Sequence, residues 1–354
     1  MKREWQLEAL TPICTGDANR SYRRLIPSGI MGSLRWWFEV LVRGLGGKAC
    51  DPTAKEVRCE YDPKDPRPPE QQLCVACYLF GCTGWACKFR LMILDANGQR
   101  VIQDQIQAGQ KFTLRFIPLR TIAPEEWCLL DATLRLIADY GAMGGKTVFK
   151  PSEEPNRQNA RHHEDFGLIA IEPRLGEVSR SRAAAETYVR DTRWRDAPHS
   201  YRDCRGMHDF SWASLQNFWC VKGRYLTRTG PDESSFNQVL ERNPSKRCKR
   251  CNQVHLPGQK CPQTNRYEKR YSDDPSTDPI DTWLAGSQQE SKKVFSFKHP
   301  EDTRRTFGFV KPGLVDFDEM KCRLGQVWAN FQPESEFQTG DQILNELFNW
   351  EEGQ

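Results

Sequence analysis

The sequence predicts an α+β protein made of tandem ferredoxin-like (RRM-like) domains with Cys-rich insertions. Three observations carry the prediction. The first half orders its elements β-α-β-β-α-β, a run of apolar residues after residue 28 has helical spacing, and the second half again mixes strand-like with helix-like segments.

Each element has its own justification. Trp5 to Leu10 alternates apolar and polar residues and reads as a strand. Ile30, Leu34, Trp37, Phe38, Leu41 and Leu45 lie on one helical face, so a helix is expected from about Gly29 to Leu45, with Ser28 as its cap. Phe89–Leu94 and Lys111–Leu119 read as strands with an Asn97-Gly98 turn signal between them. Pro124 suits the start of a second helix, to about Tyr140, with Leu129, Leu130, Leu134 and Ile137 on one face. Gly167–Ile171 closes the set as a strand. In the second half, Ser211–Cys220 and Phe317–Phe331 read as helical, and Lys293–Phe297 and Thr306–Val310 as extended. The expected domains are 1–176, with a Cys-rich insertion over about 46–87, and 177–354, with a basic insertion over about 227–292.

Composition narrows the function. The chain has 354 residues, 38% hydrophobic and 28% charged, and contains no apolar run of the ~20 residues that would span a bilayer. The opening MKREWQLEAL lacks the apolar core of a secretory signal, which points to a cytoplasmic protein with no membrane partner. Net charge is +4, yet the stretch Arg242–Arg270 holds nine Lys/Arg and a single acid, whereas the last 23 residues hold six acids and no base. A local basic block of this kind fits a polyanion surface, or a solvated loop.

The phosphate-binding candidates cluster around the first helix. Arg20, Arg23 and Arg24 precede the turn Pro27-Ser28-Gly29, and Gly29 and Gly32 leave the backbone open to close approach. Guanidinium groups beside bare helix amides hold phosphate well. The loop Gly141–Thr147 adds Gly144, Gly145 and Lys146. It is not a P-loop, since it follows a helix and only three residues separate Gly141 from Gly145.

Fourteen cysteines in a chain of this size, without a secretory signal, suggest metal ligands before disulfides. Cys248, Cys251, His255 and Cys261 have nearly the spacing of a zinc knuckle and sit inside the basic block. Four protein ligands leave no open position for water, so a zinc ion here would be structural. Cys74, Cys77, Cys82 and Cys87 form a second candidate cluster, to which Cys50 or Cys59 can contribute; buried thiols without metal are the alternative. For catalysis the sequence offers only Asp17 in a turn and the pair His162/His163, each more simply read as a surface or turn residue.

The runs LEALTPICTGD, IPSGIMGSLRWWFEVLVRGL, CVACYLFGCTGWACKFRL and GAMGGKT together resemble the RAMP superfamily of CRISPR-associated proteins, and within it the Cmr1 family. The hallmark Ser-(Ile/Leu)-x-Gly-x-x-Arg-Trp-Trp is matched from Ser28 to Trp37, with Gly29 as an added residue. Arg304-Arg305-Thr306-Phe307-Gly308-Phe309 resembles part of the family's second half. The resemblance implies a non-catalytic RNA-binding subunit of a type III-B RNA-guided effector in antiviral defence. Such a subunit lies near the 3′ part of the guide, beside other RAMP subunits, and helps bind guide and target RNA. It makes Arg20, Arg23, Arg24, Ser28, Arg35, Lys146, Arg304 and Arg305 the expected backbone contacts, and Trp36 a stacking or interface residue. The rival readings are a RAMP endoribonuclease and a zinc-stabilised protein–protein adaptor.

Overall fold

The computed structural model of the chain describes residues 2–15, 25–51, 54–101, 105–144, 151–157, 163–172, 181–198, 200–203, 206–229, 234–240, 279–286 and 291–348. The first half runs β1 (Arg3–Ala9), α1 (Pro27–Gly44), the short helices α2 (Pro69–Gln72) and α3 (Val75–Phe80), β2 (Phe89–Leu94), β3 (Lys111–Pro118), α4 (Pro124–Asp139) and β4 (Ile169–Ile171). Its antiparallel sheet has the order β2-β3-β1-β4, with Trp5 opposite Leu114 and Leu7 opposite both Phe112 and Ile171. That is the ferredoxin-like order, with α2 and α3 as the ordered core of the cysteine-rich insertion.

The second half contains α5 (Arg182–Arg190), the hairpin β5 (Ser200–Asp203) and β6 (Gly206–Asp209), β7 (Phe218–Lys222), α6 (Ser235–Val239), α7 (Pro279–Ala285), β8 (Val294–Phe297), β9 (Arg305–Phe309), α8 (Phe317–Gly325), α9 (Pro333–Glu336), β10 (Phe337–Thr339) and α10 (Gly340–Phe348). Its antiparallel sheet, β10-β7-β9-β8, repeats the topology of the first. The expected helix over Ser211–Cys220 is corrected: residues from Phe218 form β7, the strand between β10 and β9. Phe218, Trp219, Cys220 and Val221 are buried in succession, so the strand shows no alternation, and a short apolar run does not distinguish helix from buried strand. The expected domain boundary at 176 lies outside the described residues.

Helix α1 joins the two sheets. On one side Phe38 meets Phe80, which meets Phe89, which meets Phe116 in β3, with successive ring centroids 5.2, 5.4 and 5.0 Å apart. On the other side Trp37 packs edge-on against Phe218 and Phe307, and Trp36 against Phe309. Such edge-to-face pairs add about 0.5–1.5 kcal/mol each to what burial supplies. From Trp37 to Gly44 every residue of α1 is buried, whereas Pro27, Ser28 and Gly32 are exposed. The helix therefore starts at the surface and ends inside.

Candidate nucleic-acid interface and cysteine cluster

The surface end of α1 begins without a side-chain cap. Ile26 occupies the N-cap position and Pro27 the first turn, so Ser28 is not the cap that the sequence suggested; its side chain is exposed. Thr15 receives the helix start, its Oγ1 accepting a hydrogen bond from the Ile26 N–H at 2.7 Å. A Cβ on Gly29 would lie 2.9 Å from both Cβ and Cγ2 of Thr15. Glycine at 29 thus serves internal packing. At Gly32 a Cβ would meet nothing within 4 Å, and this is the position where backbone is open to a partner.

Gly144 lies against the same helix. Its N–H donates to Ser33 Oγ at 3.0 Å, its φ is +119°, and a Cβ there would stand 2.7 Å from the Cys14 carbonyl oxygen. The turn that leads to it is fixed from several sides. Trp37 Nε1 donates to the Ala142 carbonyl at 2.9 Å, and the Met143 N–H to the Gly167 carbonyl at 2.7 Å. Arg305 enters from β9 and donates to the Ala138 carbonyl at 2.7 Å. A cation at the C-terminal end of α4 meets unpaired carbonyls and the negative end of the helix dipole. Residues 145–150, with Gly145 and Lys146, continue from this turn, and residues 16–24, with Asp17, Arg20, Arg23 and Arg24, connect Thr15 to α1. Both segments lie outside the described residues, as do His162 and the set Cys248, Cys251, His255 and Cys261.

Three expected contacts have internal partners. Arg305 is buried; loss of hydration lowers its pKa, and its guanidinium ties β9 to α4. Arg35 donates to Glu39 Oε1 at 2.8 Å, to the Gly81 carbonyl at 2.7 Å and to Cys77 Sγ at 3.0 Å. Despite desolvation its pKa is raised, because Glu39 and Cys77 lie beside it. Trp36 fills the junction between α1 and β9. Each of these three therefore has a packing or positioning role inside the protein. Arg304 is half-buried, paired with Glu301 at 2.8 Å and stacked 4.9 Å from the Tyr225 ring.

The cysteine cluster differs in membership from Cys74, Cys77, Cys82 and Cys87. The sulfurs of Cys50, Cys59, Cys74 and Cys77 all lie within 4.8 Å of one another, and all four residues are buried; this set can hold a metal ion. Cys82 and Cys87 are half-exposed, with thiols on the Thr83 and Leu79 carbonyls. The pair Cys74/Cys77 was legible as Cys-x-x-Cys. Cys50 and Cys59 had been only open alternatives, because nothing local ties them to that turn. Arg195, which donates to Cys59 Sγ at 3.1 Å, gave no signal in the sequence.

Residues 6–149 match the RAMP superfamily, a span that holds the end of β1, α1, the cysteine-bearing insertion, β2, β3, α4 and Gly144. Among solved structures, the chain is similar to Cmr1 from Pyrococcus furiosus in its apo form, at 12% identity and a TM-score of 0.40, over 98% of this chain and 97% of that one. It is also similar to a chain of the type III-B Cmr-beta complex bound to cognate target RNA and AMPPnP, at 9% identity and a TM-score of 0.41, over 92% and 98% of the two chains. A chain of a type IV-B CRISPR complex matches at 11% identity and a TM-score of 0.34, over 52% of this chain and 96% of that one. No curated protein matches by sequence. No helix among the described residues is long and apolar enough to cross a membrane.

Proposed function

We propose that the protein is a non-catalytic RNA-binding subunit of a type III-B CRISPR effector complex, gripping the 3′ part of the guide and the guide–target duplex beside other RAMP subunits. The observation that carries this reading is the surface end of α1. Its first-turn amides have no side-chain cap, Gly32 is open, and the Gly144 turn is bonded to Ser33. In the chain, Arg20, Arg23 and Arg24 precede this helix, and Gly145 and Lys146 directly follow Gly144. Amides and guanidinium groups hold phosphates without reading bases, so sequence is left to guide pairing. The cysteine cluster, as a structural metal site closed by four sulfurs, belongs to the same scaffold role.

The test is fluorescence anisotropy of the full chain with single-stranded guide RNA across a salt series. Affinity should fall steeply with salt. Arg20→Glu, Arg23→Glu and Arg24→Glu together should weaken binding at least tenfold and flatten the salt slope by about 2, the share of three phosphate contacts on a single strand. Unchanged binding would favour the protein–protein adaptor. RNA cleavage abolished by Asp17→Ala would favour the endoribonuclease.

A further inference from the structure

We propose that Cys50, Cys59, Cys74 and Cys77 bind one Zn2+ as a closed tetrathiolate site, with Arg35 and Arg195 as its charge-balancing neighbours. The inference stands on the insertion's own geometry and is independent of the RNA reading.

The sulfur spacing selects the chemistry. Zinc–sulfur bonds of about 2.3 Å in a regular tetrahedron place the sulfurs about 3.8 Å apart. Here Cys50 and Cys77 are 3.3 Å apart, Cys74 and Cys50 are 3.9 Å apart, and all four sulfurs lie within 4.8 Å of one another. A disulfide would need about 2.05 Å. Sulfurs this close leave room for one ion and not for a multi-iron cluster, and soft thiolates in tetrahedral array suit zinc.

The surroundings match thiolates better than thiols. Arg35 and Arg195 each direct a guanidinium N–H at a cluster sulfur, at 3.0 Å on Cys77 and 3.1 Å on Cys59. The Cys74 backbone N–H adds a third donor, to Cys59 Sγ at 3.3 Å. A half-buried guanidinium gains little from a neutral thiol, but a charge-assisted bond from a thiolate. A divalent ion with four thiolates carries two net negative charges; with Glu39, which Arg35 also contacts, the three are balanced by Arg35, Arg195 and Arg43, the last 3.9 Å from Glu39.

The insertion also has a structural need for such a site. Among the described residues its helices are α2, of four residues, and α3, of six. The cluster joins the chain just after α1, the loop at Cys59 and the start of α3. Arg195 extends the join to the segment after α5, with its N–H also on the Glu70 and Leu73 carbonyls, at 2.9 and 3.1 Å. A zinc ion here would fasten four segments that have little regular structure of their own.

The test uses the full chain carrying Cys248→Ser and Cys251→Ser, which removes the other cysteine–histidine group as a source of metal. Metal analysis should find one zinc per chain, and zinc-edge absorption four sulfurs at about 2.3 Å. Absence of zinc, a Cys50–Cys77 disulfide in the purified protein, or nitrogen or oxygen bound to the zinc would each overturn the assignment. In the same background, Arg195→Gln should lower zinc affinity against a competing chelator by about tenfold, the usual effect of losing a neighbour that hydrogen-bonds a ligand. Unchanged affinity would remove Arg195 from the site.

Discussion

At the residue scale, several side chains that a motif reading assigns to RNA act inside the protein. Arg305 caps α4 from the second sheet, and Arg35 bridges Glu39, Gly81 and Cys77. Nothing in the one-dimensional pattern separates these arginines from surface ones, because their partners lie 46 residues away (Arg35 to Gly81) and 167 residues away (Arg305 to Ala138). Asp165 shows the same kind of long-range tie. Its Oδ2 accepts the backbone N–H groups of Lys298 and His299 at 3.0 and 2.8 Å, joining the approach to β4 with the loop after β8. Burial pushes its pKa up from 3.8 to about 6, although those two N–H groups oppose the shift. A carboxyl with a raised folded-state pKa favours folding while protonated. Its contribution is complete below pH 3.8 and is lost as pH rises through about 6. Asp165→Asn should remove that part of the pH dependence, on the order of 1–2 kcal/mol between pH 4 and 6.5. Urea melts across that range check it, and an unchanged pH profile would contradict the assignment.

At the element scale, the first half was legible and the second only in part. Strands β1, β2 and β3 and helices α1 and α4 follow from alternation, helical spacing and Pro124, and their observed ends lie within two residues of the expected ones. Strand β7 was misread because both its faces are buried. The sheet that buries it is assembled by β9 and β10, each more than 80 residues further along the chain. The cysteine pair at 74/77 was visible through its spacing, whereas Cys50 and Cys59 join it only through the folded insertion. Helix α1 explains the double tryptophan without any ligand: Trp37 reaches both halves of the core and Trp36 fills the gap against Phe309. Trp36→Ala should therefore destabilise the protein by roughly 2–4 kcal/mol, the scale of a large-to-small change in a packed junction. RNA affinity of the folded protein should change less than twofold. A stable variant with strongly reduced RNA binding would restore Trp36 as a base-stacking residue.

At the scale of the whole molecule, two ferredoxin-like sheets share one buried core, and α1 passes between them from an exposed start to a buried end. That arrangement divides labour along a single helix. The buried turns hold the halves together, while the first turn, with Gly144 beside it, starts at the surface without a side-chain cap. In the proposed function, the basic residues that adjoin these segments in the chain supply the charge, and the buried cysteine cluster lies in the insertion that follows the helix. The most direct test of the account is photocrosslinking of 4-thiouridine-substituted guide RNA to the protein in its assembled complex, read by peptide mass spectrometry. The account predicts crosslinks in the peptides covering residues 15–36 and 141–150. Crosslinks confined to other surfaces, with neither of these peptides among them, would contradict it.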